Sequence, residues 1–146
     1  MSTDNDSLPT AADLMTSSPR TCSAFSSVLE AVMIFRDADC GAVPITDEGK
    51  PIGILTDRDV ALALPSHPDD LADLPVSAIM TKGVISVRPE ATIEELTETF
   101  TKNSVRRLIV TDANDQLLGI VAFADVSPRF SSKRMGKVVA DIVEQA

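Results

Sequence analysis

Shifted by 65 positions, the chain meets itself: Met15-Thr16 falls on Met80-Thr81, Glu30 on Glu95, Phe35 on Phe100 and Thr46-Asp47 on Thr111-Asp112. One residue is then gained in a turn, and at a shift of 66 Gly53-Ile54 meets Gly119-Ile120 and Asp59-Val60 meets Asp125-Val126. Between these identities the pairs are conservative, as in Val28/Ile93, Val43/Leu108, Ile45/Val110, Ile52/Leu118 and Leu55/Val121. A repeated unit of roughly 60 residues usually means that neither copy buries enough apolar surface alone. Two copies facing each other solve that problem and create a symmetric cleft, where function is to be sought.

At 146 residues the chain is one compact domain or two very small ones. No apolar run approaches the roughly 18 residues needed to span a membrane. The N-terminus, MSTDNDSLPTA, has neither the basic start nor the apolar run of a signal peptide. Residues 1–10 therefore read as a flexible tail, and a cytoplasmic location is expected. The net charge of −9 speaks against a nucleic-acid surface, which needs a basic face. Arg58, Arg106 and Arg107 are basic points on this acidic body, as a small anionic ligand would require. Cys22 and Cys40 form no CxxC pair and lack flanking histidines, His67 being the only one, so neither a disulfide framework nor a metal site is expected. They read as two small thiols, with a redox-responsive pair as the alternative.

Each repeat shows the same run of elements. A short helical turn (11–15; 76–80) leads to a brief strand (near 21–23; 84–87). A helix follows, opened twice by a capping box, Ser27-x-x-Glu30 and Thr92-x-x-Glu95. Val28, Ala31, Val32 and Phe35 share one face of the first helix, and Ile93, Leu96 and Phe100 one face of the second. Apolar runs 42–45 and 51–55, and again 108–110 and 117–121, flank polar turns and predict hairpins. A further helix follows each hairpin, over 57–64 and from 124 onward. The expected boundaries are a first repeat at 11–64, a linker at 65–75, a second repeat at 76–130 and a C-terminal helix at 131–146. The class is α+β, as two β-α-β-β-α units.

Chemistry concentrates in Gly53-Ile-Leu-Thr56-Asp57-Arg58-Asp59, where a strand runs into a helix. Gly53 permits close approach of chain or ligand. Thr56 sets a hydroxyl near a helix N-terminus, which favours phosphate. Asp59 offers two acceptor oxygens suited to ribose hydroxyls. The alternative for the same residues is local, with Thr56 capping the helix and the aspartates stabilising its first turn. No phosphate-binding G-x-x-x-x-G-K-[ST] loop, no G-x-S-x-G elbow and no nucleophile–histidine pairing is present, so catalysis is not expected.

The duplicated "IMT"-like start, the capped helix, "AVPITD" and "GILTDRDV", with "SAIMT", "VRRLIVTD" and "GIVAFADV" in the second copy, resemble a pair of cystathionine-β-synthase (CBS) domains. The likeness runs from about Ala11 to Val126 or beyond. It implies two repeats packed through their sheets with pseudo-two-fold symmetry, often called a Bateman module. It also implies clefts for adenosine-containing ligands such as AMP, ADP, ATP or S-adenosylmethionine. The family's G-h-x-[ST]-x-x-D pattern falls on Gly53, Thr56 and Asp59, making Thr56 the phosphate-side hydroxyl and Asp59 the ribose acceptor. In the second repeat Asp125 is kept but the hydroxyl position is Ala122. Arg107 matches a position where a basic residue meets phosphate, a surface ion pair being its alternative, and the first repeat has Ala42 there. Pro44 matches a position lining the purine pocket, replaced by Ile109 in the second copy.

The resemblance thus implies a regulatory module that binds an adenine nucleotide between its repeats and signals to a regulated protein of unknown identity by a conformational shift. No cofactor is required, no nucleic acid or membrane partner is expected, and a homodimer is. Val32, Phe35, Val60, Leu62 and Leu64 are the candidate surplus apolar surface. The alternative is a structural protein-interaction module with degenerate, unoccupied nucleotide sites.

Overall fold

The computed structural model describes residues 8–129, which belong to two compact units. The first unit spans Pro19–Val84. Its centre is a hairpin of β2 (Ala42–Asp47) and β3 (Lys50–Thr56). The strands turn through Glu48 and Gly49, both at positive φ (51° and 82°), the two-residue geometry that matches strand twist. A bulge between Ile45 and Thr46 absorbs a register shift. Cys22 bridges Ile45 in parallel on one edge, and β4 (Thr81–Lys82) pairs antiparallel with β3 on the other.

Helix α2 (Val28–Asp37) is capped by Ser27, whose Oγ accepts from the Glu30 amide at 3.1 Å. Its inward face, Val28, Ala31 and Ile34, closes a core with Val43, Ile45, Leu55, Val76 and Cys22. Each large aliphatic side chain there contributes about 1.5–3 kcal/mol by burial. Helix α3 (Asp57–Ala63) follows β3, and a 3-10 turn holding Pro65 ends it. The expected linker packs down on this unit: Leu71 and Leu74 join its core margin, and Leu74 O accepts from Val28 N at 2.8 Å.

The second unit comprises the chain up to Ser18 and from Ile85 onward. Its sheet runs β1 (Thr16–Ser17), β7 (Leu117–Ala122), β6 (Arg107–Thr111) and β5 (Ser86–Val87), only β5 and β6 being parallel. Helices α1 (Ala11–Leu14), α4 (Ile93–Asn103) and α5 (Phe123–Val126) complete it. Thr92 and Glu95 form the full reciprocal capping box of α4, with Thr92 Oγ1 accepting from Glu95 N at 3.1 Å and Thr92 N donating to Glu95 Oε1 at 3.5 Å. Leu96, Phe100, Leu108, Val110, Val121 and Val126 form the core, and Phe100 meets Phe123 edge-on at 5.6 Å.

The compact units are offset from the sequence repeats. The segment opening repeat one (α1, β1) lies on the sheet of repeat two, and the segment opening repeat two (Val76–Lys82) lies on the sheet of repeat one. Backbone pairing holds each segment in place, Thr16 opposite Ile120 and Thr81 opposite Ile54. The glycines make the crossing possible. A Cβ on Gly53 would stand 2.8 Å from both Met80 Sδ and Thr81 O, and one on Gly119 would stand 2.5 Å from Met15 Sδ and 2.7 Å from Thr16 O. What these glycines admit is neighbouring chain.

Among the expected surplus apolar residues, Phe35 and Val60 pack against the core, since Phe35 falls on the helix side of Val28 and Ala31. Val32, Leu62 and Leu64 are exposed. The expected tail lies, for residues 1–7, outside the described residues, as does the C-terminal helix expected at 131–146. Among the described residues no helix is long and apolar enough to cross a membrane.

Candidate functional site

Each unit carries the same strand-to-helix junction. In the first, the Asp57 amide donates to Gly41 O at 3.0 Å, tying the start of α3 to the residue before β2. In the second, Phe123 N donates to Arg106 O at 2.8 Å in the same manner. The junction residue of β3, Thr56, stands directly across from Ala42, and its counterpart Ala122 on β7 stands across from Arg107. Directly opposed residues hold their Cβ atoms about 5 Å apart, so each pair acts as one local surface.

At the first junction Thr56 Oγ1 accepts from Asp59 N at 3.1 Å, while Thr56 N donates to Asp59 Oδ2 at 2.9 Å. Both residues thus perform the capping role. That role does not exhaust them. The Thr56 hydroxyl still has its proton to donate, and Asp59 Oδ1 makes no hydrogen bond among the described residues. At the second junction the Asp125 carboxylate accepts from Ala122 N at 3.0 Å, which is half of the same box. Ala122 has no oxygen to complete it.

Arg107 opens β6 and is half-buried. Among the described residues the ion pairs are Arg36–Asp37, His67–Asp70 and Arg88–Asp115, so Arg107 has no carboxylate partner there. The surface ion pair read as its alternative is not formed among them. Arg106 is exposed and contributes its carbonyl to the junction.

Pro44 is fully buried in β2 and paired with Ile54. It alternates with Val43 and Ile45 and so belongs to the opposite face of the sheet from the unit's core. Ile109, paired with Ile120, takes the same place in the second sheet. Pro44, Thr56 and Asp59 therefore share one unit, and Arg107 and Asp125 share the other.

Arg88 escaped the reading of the sequence. Its Nη1 donates to Thr111 Oγ1 at 2.8 Å and to Asp112 O, and its Nη2 pairs with Asp115 Oδ1 at 3.3 Å, clamping the β6–β7 turn. The signal available was the repeat itself, which has Ser23 at this position and a shorter turn. No group of three or more His, Cys, Asp or Glu among the described residues is placed to hold a metal ion.

Comparison with known proteins agrees with this duplicated architecture. The CBS domain family matches twice, over residues 11–66 and 76–130, and the chain belongs to that family. It is 31% identical over 134 residues to the CBS domain-containing protein YhcV of Bacillus subtilis, covering 91% of this chain and 94% of that one. The CBS domain pair of protein MJ0100, solved with 5′-methylthioadenosine and S-adenosyl-L-methionine, superposes with a TM-score of 0.73 at 28% identity, over 84% of this chain and 99% of that one. The CBS domain protein TA0289 of Thermoplasma acidophilum shares the fold, with a TM-score of 0.79 at 19% identity over 92% of this chain and 76% of that one.

Proposed function

We propose that this chain is a regulatory module that binds an adenosine-containing ligand and signals to a regulated protein by shifting between conformations. In this reading Asp59 and Asp125 accept from ribose hydroxyls, Thr56 and Arg107 contact phosphate, and Pro44 lines the base. The observation that carries it is Arg107, a half-buried residue whose guanidinium has no carboxylate partner among the described residues, directly across from the Ala122 junction. The adenosine compounds bound by the MJ0100 domain pair support the ligand class. No cofactor and no catalytic step is assigned, and the chain acts as a cytoplasmic homodimer.

Titration calorimetry with AMP and adenosine tests this. AMP is expected to bind appreciably better than adenosine, and Arg107→Ala to erase most of the difference while sparing adenosine. The reason is that charge-assisted bonds to phosphate are the interaction removed. Equal losses for both ligands would make Arg107 a structural residue. No binding of any adenosine compound would favour a second reading, an interaction module without ligand. That reading draws on Thr56 and Asp59 already serving as each other's capping partners and on the missing hydroxyl at Ala122.

A further inference from the structure

Glu94, Glu98 and Lys102 stand four residues apart along α4 and are all exposed, so two carboxylates and an ammonium form one row from its N-terminal to its C-terminal end. At the shift of 65, repeat one carries Leu29, Met33 and Asp37 in these places, so the row belongs to repeat two alone. The flank beside the row differs as well. Thr97 is buried, where its counterpart Val32 is 36% exposed. Thr97 Oγ1 donates to Ile93 O at 2.8 Å, which satisfies the hydroxyl and leaves the methyl group to meet an apolar neighbour.

The chain leaves the described residues beside α4. Phe123 N donates to Arg106 O, at the end where α4 gives way to β6, and the Phe123 ring meets Phe100 of α4. Strand β7 returns to that same end, so α5, packed on α4, runs back along it. Four α-helical and three 3-10 residues advance the chain by about 12 Å, or roughly eight residues of α4, which brings Arg129 level with the first turn of α4. The sequence that follows is first basic and then acidic. Read as the helix expected over 131–146, it sets Arg134, Lys137 and Asp141 on one flank, beside the apolar Val138 and Ile142.

We infer that the C-terminal segment, residues 131–146, docks on α4 of its own chain and parallel to it, with Arg134 on Glu94, Lys137 on Glu98 and Asp141 on Lys102. The inference is independent of the ligand reading. Charge sets the direction. The row on α4 reads minus, minus, plus, and the segment reads plus, plus, minus. All three pairs match in a parallel run, whereas an antiparallel one would place Asp141 on Glu94 and Arg134 on Lys102. Spacing agrees, since the two rows span about 12 Å and about 10.5 Å of helix, a difference that long side chains absorb. The point of exit agrees too, because the chain emerges level with the first turn of α4 and meets Glu94 before Lys102. In this placement Val138 and Ile142 come over the Thr97 flank.

Cysteine pairs in the full chain test this, in a Cys40→Ser background that leaves only the buried Cys22. Glu98→Cys with Lys137→Cys keeps the two outer ion pairs and should oxidise to a disulfide within one chain, read as loss of both thiols at unchanged chain mass. Lys102→Cys with Arg134→Cys, the pair that an antiparallel run would join, should stay reduced. In the otherwise unaltered chain, trypsin should cut slowly after Arg134 and Lys137. Glu94→Lys and Glu98→Lys together should speed those cuts about three- to ten-fold while the cooperative melt is retained. A disulfide in the antiparallel pair, one that joins two chains, or none in either pair would overturn the inference, as would cleavage indifferent to the two glutamates. Should the charge-reversed variant fail to fold, the cysteine pairs decide alone.

Discussion

Ala122 has the extended backbone of a helix cap, φ −94° and ψ 150°, close to the −113° and 162° of Thr56, yet lacks the oxygen that such a backbone serves. Replacing Ala122 with Thr copies the first junction into the second. A gain of about 0.5–2 kcal/mol is expected, with a similar loss for Thr56→Ala, both read from urea unfolding. If Ala122→Thr leaves stability unchanged, the two junctions are not equivalent. A second residue-scale effect concerns Cys22. Burial pushes its thiol above the ordinary 9.0, a hydrogen bond with Ser26 opposes this, and Glu30 adds to it. The folded chain therefore holds the proton more tightly than the unfolded chain. Stability from this group is full below pH about 9 and declines as pH rises towards the folded value. Cys22→Ala should flatten the fall in melting temperature across that alkaline range, and an unchanged slope would assign the fall to other groups.

Among the elements, the crossings of β4 over Gly53 and β1 over Gly119 are the least forgiving places. At each glycine one of the atoms a Cβ would strike is backbone, Thr81 O or Thr16 O, which cannot rotate away as a methionine tail can. Gly53→Ala and Gly119→Ala should each cost about 1–3 kcal/mol in denaturant unfolding, as overpacking does. A melting temperature equal to wild type would mean that the short strand lifts off freely. The elements legible from sequence were those written in local code. The box at Thr92 and Glu95, the polar turn 47–50 and the apolar run of 42–45 each predict structure from residues a few positions apart. The junction residues were legible too, because Thr56 and Asp59 are three apart and their capping bonds follow from that spacing. What Arg88 holds was not, since its partners lie beyond the helix that follows it.

Across the whole molecule, the exchange of opening segments was the feature hidden from sequence reasoning. The repeat pattern assigns Met15-Thr16 to the copy it begins, and nothing local says that Thr16 pairs with Ile120, on the far side of an entire repeat. The close approach signalled by Gly53 was legible as a requirement, but its occupant was not. The exchange has a consequence for dividing the chain. A cut within residues 67–70 leaves an N-terminal piece holding α1 and β1 with no sheet to join, and lacking β4 and the buried Val76. The C-terminal piece loses Ala11 from its core and strand β1 from its edge. Expressed apart, neither fragment should show a cooperative melt. Mixed, they should reassemble and recover one, and two fragments that melt cooperatively alone would refute this. Gene fission at the linker would then produce two obligate partners, each carrying the piece that the other needs to fold.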